Sequence, residues 1–180
     1  MKNIKFILTA LAIISLFTFS QCKKNKTEEP QLPPETTTGA MTFGCKVNGK
    51  VFVPKDGRGK PGLFCQYVNL GAGLGGGWYL NIPATNWIPN PTESVNISTD
   101  SLLIVEGTTY PFKYRKKGFP GALYFNVNQF EATDNNSGEL KIKKFDAINR
   151  IISGTFFFTG TDNSNGQTVN ITEGRFDIRY

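Results

Sequence analysis

Histidine is absent from all 180 residues. That single gap removes the Ser-His-Asp and Cys-His constellations, the usual zinc sites and the commonest near-neutral general base. Cysteine is scarce: Cys22, Cys45 and Cys65 complete the set, and none of them has an imidazole to activate it as a nucleophile. No apolar run reaches the ~20 residues that a membrane-crossing helix needs, and no window sustains the 3.6-residue period of an amphipathic helix. Acid-base chemistry would fall to carboxylates, which need two acids held about 5–10 Å apart with at least one pKa raised. Asp100, Glu106, Glu131, Asp146, Glu173 and Asp177 are the candidates. No two of them share a motif, and most stand beside expected turns, where solvated acids belong. The chain reads as a non-enzyme with no cofactor and no metal.

What is present begins at the N-terminus. Lys2 and Lys5 precede an uncharged apolar stretch over residues 6–19 that stops just before Cys22. A basic start, an apolar segment and a processing point define a secretory signal, here residues 1–21. Phe19-Ser20-Gln21-Cys22 resembles a lipobox, with Phe19 and Gln21 in place of its usual Leu and Gly or Ala. The resemblance implies a lipoprotein whose Cys22 thiol carries diacylglycerol and, with it, acyl chains such as palmitate. Each buried CH₂ contributes about 0.8 kcal/mol, so two or three chains anchor almost permanently. Residues 22–40 follow with one large apolar side chain, Leu32, and three prolines. Such a segment reads as a disordered, extended tether. Lys23, Lys24 and Lys26 come before Glu28 and Glu29. In Bacteroidetes-type lipoproteins an acidic cluster directly after the cysteine resembles a surface-export signal, whereas here lysines come first, and the comparison implies an outer-membrane protein facing the periplasm.

Residues 41–180 form one domain by length. Fifteen Phe, six Tyr and nineteen Gly in the chain point to sheet. Phe43, Cys45 and Val47 alternate with polar neighbours, and Asn48-Gly49 supplies a type I′ turn into residues 50–53. Further strands are expected near 63–69, 77–83, 93–98, 101–105, 109–114, 121–132, 138–145, 150–160 and 167–180. Ile152, Gly154, Phe156 and Phe158 share one face of the penultimate strand. In the last strand the apolar phase slips between Ile171 and Phe176. A β-bulge near Glu173-Gly174 restores it. The expected fold is an all-β antiparallel sandwich of nine or ten short strands, with a small lipocalin-like barrel as the alternative.

Two stretches carry a family resemblance. Residues 42–50 are similar to the opening strand, and residues 151–158 with 169–177 to the closing hairpin, of small uncharacterised Bacteroidetes-type outer-membrane lipoproteins. The resemblance implies fold and compartment, and no activity.

Several features remain open between structural and functional readings. With Cys22 acylated, Cys45 and Cys65 are an even pair in an oxidising compartment and are expected either to bridge or to lie apart as buried apolar groups. Glycines 71, 73 and 75–77 lack the Lys-Ser/Thr and the helix of a phosphate loop. The Asp/Asn-rich stretches at 134–138 and 162–166 suit hairpin turns better than calcium loops. Removing Lys2 and Lys5 leaves eighteen basic against fourteen acidic side chains. Lys113, Arg115, Lys116 and Lys117 cluster among aromatics, yet solvated charge or contact with an anionic glycan suits them better than nucleic acid. Trp78, Tyr79 and Trp87 stand near expected loops and are the candidate sugar-stacking residues. Asp100-Ser101-Leu102 resembles a short O-glycosylation sequon. Together these features predict a non-catalytic binding or structural module of the cell envelope, taking a glycan, an envelope polymer or a partner protein. A carboxylate-dependent glycoside hydrolase and a lipocalin-like carrier of an apolar ligand are the alternatives.

Overall fold

A computed structural model describes residues 30–133 and 137–180. The expected signal over 1–21, Cys22, residues 23–29 and part of the expected turn, residues 134–136, lie outside the described residues. Eleven strands follow one another: β1 (Thr42–Val47), β2 (Lys50–Phe52), β3 (Gln66–Leu70), β4 (Gly77–Asn86), β5 (Glu93–Thr99), β6 (Thr109–Pro111), β7 (Pro120–Phe125), β8 (Gln129–Glu131), β9 (Gly138–Asp146), β10 (Ile151–Thr161) and β11 (Thr168–Arg179). All strand pairings are antiparallel, in the order β2-β1-β11-β10-β8-β7-β5-β4-β3, with β9 on β10 and β6 on β9. The all-β expectation holds, and the sheet is open.

The long strand β10 makes two layers out of one sheet. Most of its length pairs with β9 and β11, whereas its end, at Thr161, pairs with Glu131 of β8. One layer is therefore β2-β1-β11-β10-β9-β6 and the other β8-β7-β5-β4-β3. They face each other across the core: the Tyr67 ring of β3 meets Phe145 of β9 at 5.6 Å and Tyr180 at 5.4 Å. Phe43, Phe158, Leu80, Ile82, Ile97, Leu140 and Ile152 fill the space between. The inward set on β10 is the one its alternation predicts.

Local chemistry explains the connections. Asn48 and Gly49 both take positive φ, +46° and +83°, as a type I′ hairpin turn requires. Glu173 sits at φ +51° and is the extra residue of a bulge: Gly44 pairs with Arg175, but Lys46 already pairs with Thr172. The same slip recurs against β10 between Phe156 and Phe158. Residues 162–167 close a plain turn, in which Asp162 accepts from the Ser164 N–H and hydroxyl.

Two strand expectations are corrected. Residues 101–105 form no strand: Ser101 turns to φ +51°, and Leu102 N–H donates to the Trp78 carbonyl while Ile104 N–H donates to the Tyr67 hydroxyl. Single donors pin this apolar stretch where a ladder was expected. Residues 121–132 divide into β7 and β8 because the Asn126 carboxamide accepts from Asn128 N–H and turns the chain. One expected strand is lost and another is split in two, and the described residues hold eleven strands.

The bridge between Cys45 and Cys65 is also corrected: both are free, buried thiols. Cys45 lies on β1, near Glu93 and Tyr124, whereas Cys65 precedes edge strand β3, near Tyr180. β1 and β3 lie at separate places in the sheet order, and the two thiols have different neighbours. Burial pushes both up to about 12, with Glu93 adding to the shift at Cys45. A thiol so protonated is a poor nucleophile. Iodoacetamide at pH 8 is expected to leave both unmodified in the native protein and to label both after denaturation. Labelling of either in the native state, seen by peptide mass spectrometry, would contradict the burial.

Residues 32–40, expected as part of a disordered tether, take an ordered path. They lie across the outer face of the first layer, where Asp177, only 1% exposed, gathers them. Its carboxylate accepts from the Thr36 hydroxyl at 2.6 Å and from the N–H groups of Thr38, Gly39 and Ala40 at 2.9, 2.8 and 3.2 Å. Burial by itself would raise this carboxyl, but the converging donors hold it below the usual range. Further along, Pro33 lies over Gly44, where a Cβ would stand 2.6 Å from the proline ring. Asp177, expected as a solvated acid, is instead the clasp of an N-terminal strap.

Candidate ligand-binding groove

The strap covers only part of the outer face of the first layer. Ile151 and Ser153 of β10 are buried, but farther along the strand Thr155 is only half-buried and Phe157 is 51% exposed. Successive strand residues alternate faces, so Phe157 points outward because Phe156 and Phe158 point inward. Opposite it on β9 stands Glu139. On the far side the bulge at Glu173 places Gly174 next in the strand, and a Cβ on Gly174 would run 2.5 Å from the Phe156 ring. The result is a groove of about 440 Å³ beside the strap, with Phe157 in its lining.

Charges of both signs wall this groove. Lys141 and Lys143 come from β9, Arg175 from β11, and Thr109 and Thr155 add hydroxyls. Glu35 reaches in from the strap and pairs with Lys143. Glu173 pairs with Lys46 and, at 3.8 Å, with Arg175. The hydrogen bond from Lys143 holds the Glu35 carboxyl below its ordinary range. A glycosidase acid needs the opposite displacement. The groove thus presents an aromatic face and paired acids and cations that can bridge neighbouring hydroxyls.

The three aromatic residues singled out in the sequence do not converge. Trp78 faces inward and stacks on Tyr67 at 4.8 Å. Tyr79, next on β4, faces outward on the second layer, and its hydroxyl meets Ser101 Oγ at 2.8 Å. Trp87 lies beyond β4, where its indole N–H donates to the Pro61 carbonyl at 2.9 Å and Lys60 stands 4.9 Å above the ring. The Ser101 hydroxyl of the sequon-like triplet is likewise engaged, donating to the Gly76 carbonyl at 2.7 Å. Sequence reasoning missed Phe157, although the alternation that sends Phe156 and Phe158 inward implies its outward face.

Fold and groove together define an open antiparallel β-sandwich with an aromatic, charge-walled depression on one outer face. The chain belongs to the family described as a domain of unknown function (DUF6252), whose profile matches residues 78–177. That span runs from β4 into β11 and includes Phe157, Lys141 and Arg175, while Glu35 and the strap precede it. No curated protein and no solved structure matches the chain.

Proposed function

We propose that this chain is a lipid-anchored, non-catalytic module of the cell envelope, held through Cys22 in the outer membrane on its periplasmic side, and that the groove beside β9, β10 and β11 binds a glycan segment of an envelope polymer. The observation that carries the reading is Phe157, a large aromatic ring left half in water on a face otherwise built of charges and hydroxyls. An aromatic face offers stacking to the apolar side of a sugar ring, and ion-paired side chains hold hydroxyls by charge-assisted hydrogen bonds. The lowered Glu35 carboxyl argues against a hydrolase. A carrier's interior would occupy the space that Phe43, Phe158 and Leu80 fill. Anchoring has a geometric consequence: ten residues from Cys22 to Leu32 span at most about 35 Å, so the docked strap keeps the domain near the bilayer.

Isothermal titration of the full chain with peptidoglycan fragments, lipopolysaccharide core oligosaccharide and a soluble β-glucan tests the groove. At least one probe is expected to bind, and Phe157→Ala to raise its Kd at least tenfold. Binding of none, or binding indifferent to Phe157→Ala, would refute the groove. For the anchor, Cys22→Ser is expected to leave the membrane pellet. A variant that still sediments with membranes would refute it.

A further inference from the structure

The second layer carries a depression of its own. At one end of its outer face Tyr79 of β4, Ser98 of β5 and Gly121 of β7 lie across three neighbouring strands, Ser98 directly opposite Gly121. The connection between β6 and β7 folds over them. A Cβ on Gly121 would stand 3.1 Å from the Tyr114 ring, so the missing side chain is what lets that ring settle there. Tyr79, Tyr114 and Phe119 supply aromatic walls to a cleft of about 310 Å³, and Asp100 and Arg115 stand at its polar side. The rim is pinned: Gly118 N–H donates to the Asp100 carbonyl at 2.7 Å, and Asp100 N–H to the Phe119 carbonyl at 3.3 Å.

The charge around this cleft is one-sided. Lys113 and Lys116 hold their ammonium groups 4.3 and 5.5 Å from the Phe119 ring, and Lys117 reaches the Gly75 carbonyl. Among the described residues none of these three lysines pairs with an acid. Arg115 lies 5.0 Å over the Tyr114 ring, its side chain 75% exposed and its nearest acid, Glu131, at 4.0 Å. Stacking on aromatic rings places the cations at the rim without neutralising them. Asp100, the one acid lining the cleft, has a carboxylate without a partner among the described residues.

We propose that this cleft is a second binding site and that it takes an anionic sugar unit, one bearing a carboxylate or a phosphate. The aromatic walls meet the ring, Asp100 and Ser98 take its hydroxyls, and Arg115, backed by the three lysines, takes the anionic group. A planar guanidinium pairs with either anion through two parallel hydrogen bonds, which an ammonium cannot do. The site shares no residue with the groove that holds Phe157.

Tetragalacturonate, glucose 1-phosphate and neutral maltotetraose, titrated separately into the full chain at low and moderate salt, provide the test. At least one acidic probe is expected to bind, more weakly as salt rises, and which one binds identifies the anionic group. Arg115→Gln, at an exposed position where folding is not at stake, is expected to weaken that binding at least fivefold. Phe157→Ala should leave it unchanged. The proposal is overturned if neither acidic probe binds, if maltotetraose binds as well as they do, if Arg115→Gln binds like the wild type, or if Phe157→Ala abolishes the binding.

Discussion

Replacing Asp177 with alanine is expected to cost roughly 3 kcal/mol of stability and to free the strap. The carboxylate accepts five hydrogen bonds, from the Thr36 hydroxyl, the Thr38 N–H and hydroxyl, and the Gly39 and Ala40 N–H groups, and bonds to a charged acceptor are worth about 1.5–3 kcal/mol each when taken singly. The total falls short of their sum because the released N–H groups can turn to water once residues 32–40 lift away. Undocking then uncovers Ile151 and Ser153 beneath. For a domain of this size the melting temperature should fall by roughly 10 °C, and limited proteolysis should cut near residues 36–40, which the wild type protects. An unchanged melting temperature with full protection would show that the clasp contributes nothing.

The clasp also sets an acid limit. Because the folded carboxyl sits below its unfolded value, its contribution is complete above about pH 4, the unfolded aspartate range, and is lost as the pH falls through the lower folded value. Asp177→Asn is therefore expected to be less stable at neutral pH and to lose less on acidification. Parallel urea midpoints for the two proteins between pH 3 and pH 7 would rule the coupling out.

Gly154→Ala is the second large effect, and it is purely steric. Gly154 lies inward on β10, paired with Phe176 of β11 and Ile142 of β9. An added Cβ would collide with the Lys141 carbonyl oxygen and stand 2.8 Å from Phe176 Cζ. The carbonyl belongs to a strand held on both edges, and the ring packs against Phe156 at 6.4 Å. Neither can retreat cheaply. Overpacked cores lose about 1–3 kcal/mol and occasionally more, and a backbone obstacle puts this site at or above about 3 kcal/mol. Gly49→Ala is the contrast: nothing lies within 4 Å of its Cβ, so its cost is only that of a left-handed turn position. Chemical denaturation should rank Gly154→Ala as the more damaging. The reverse order would mean that the β9–β10 ladder yields more readily than its register implies.

Both sites differ from the sequence expectation in the same way. Trp78 and Tyr79 are adjacent, so a strand sends them to opposite faces of its sheet, and no shared platform survives. Phe157 hid between two core phenylalanines in a run that reads as uniformly apolar. Asp177 reads as one more polar residue in alternation, and only the strap, some 140 positions earlier along the chain, makes it a buried anchor. Cys45 and Cys65 are twenty positions apart and still face different parts of the core.

Alternation with period two and Asn-Gly turn chemistry already commit the chain to antiparallel hairpins, an inward row on β10 and a bulge near Glu173, because these depend on neighbours a few residues away. Which outer faces are covered and which stay open is a property of the folded molecule alone. The groove draws on residues from 35 to 175 and the cleft on residues from 79 to 121. Contacts of that separation arise only when two layers close and the strap lies down, and no local pattern encodes where they meet.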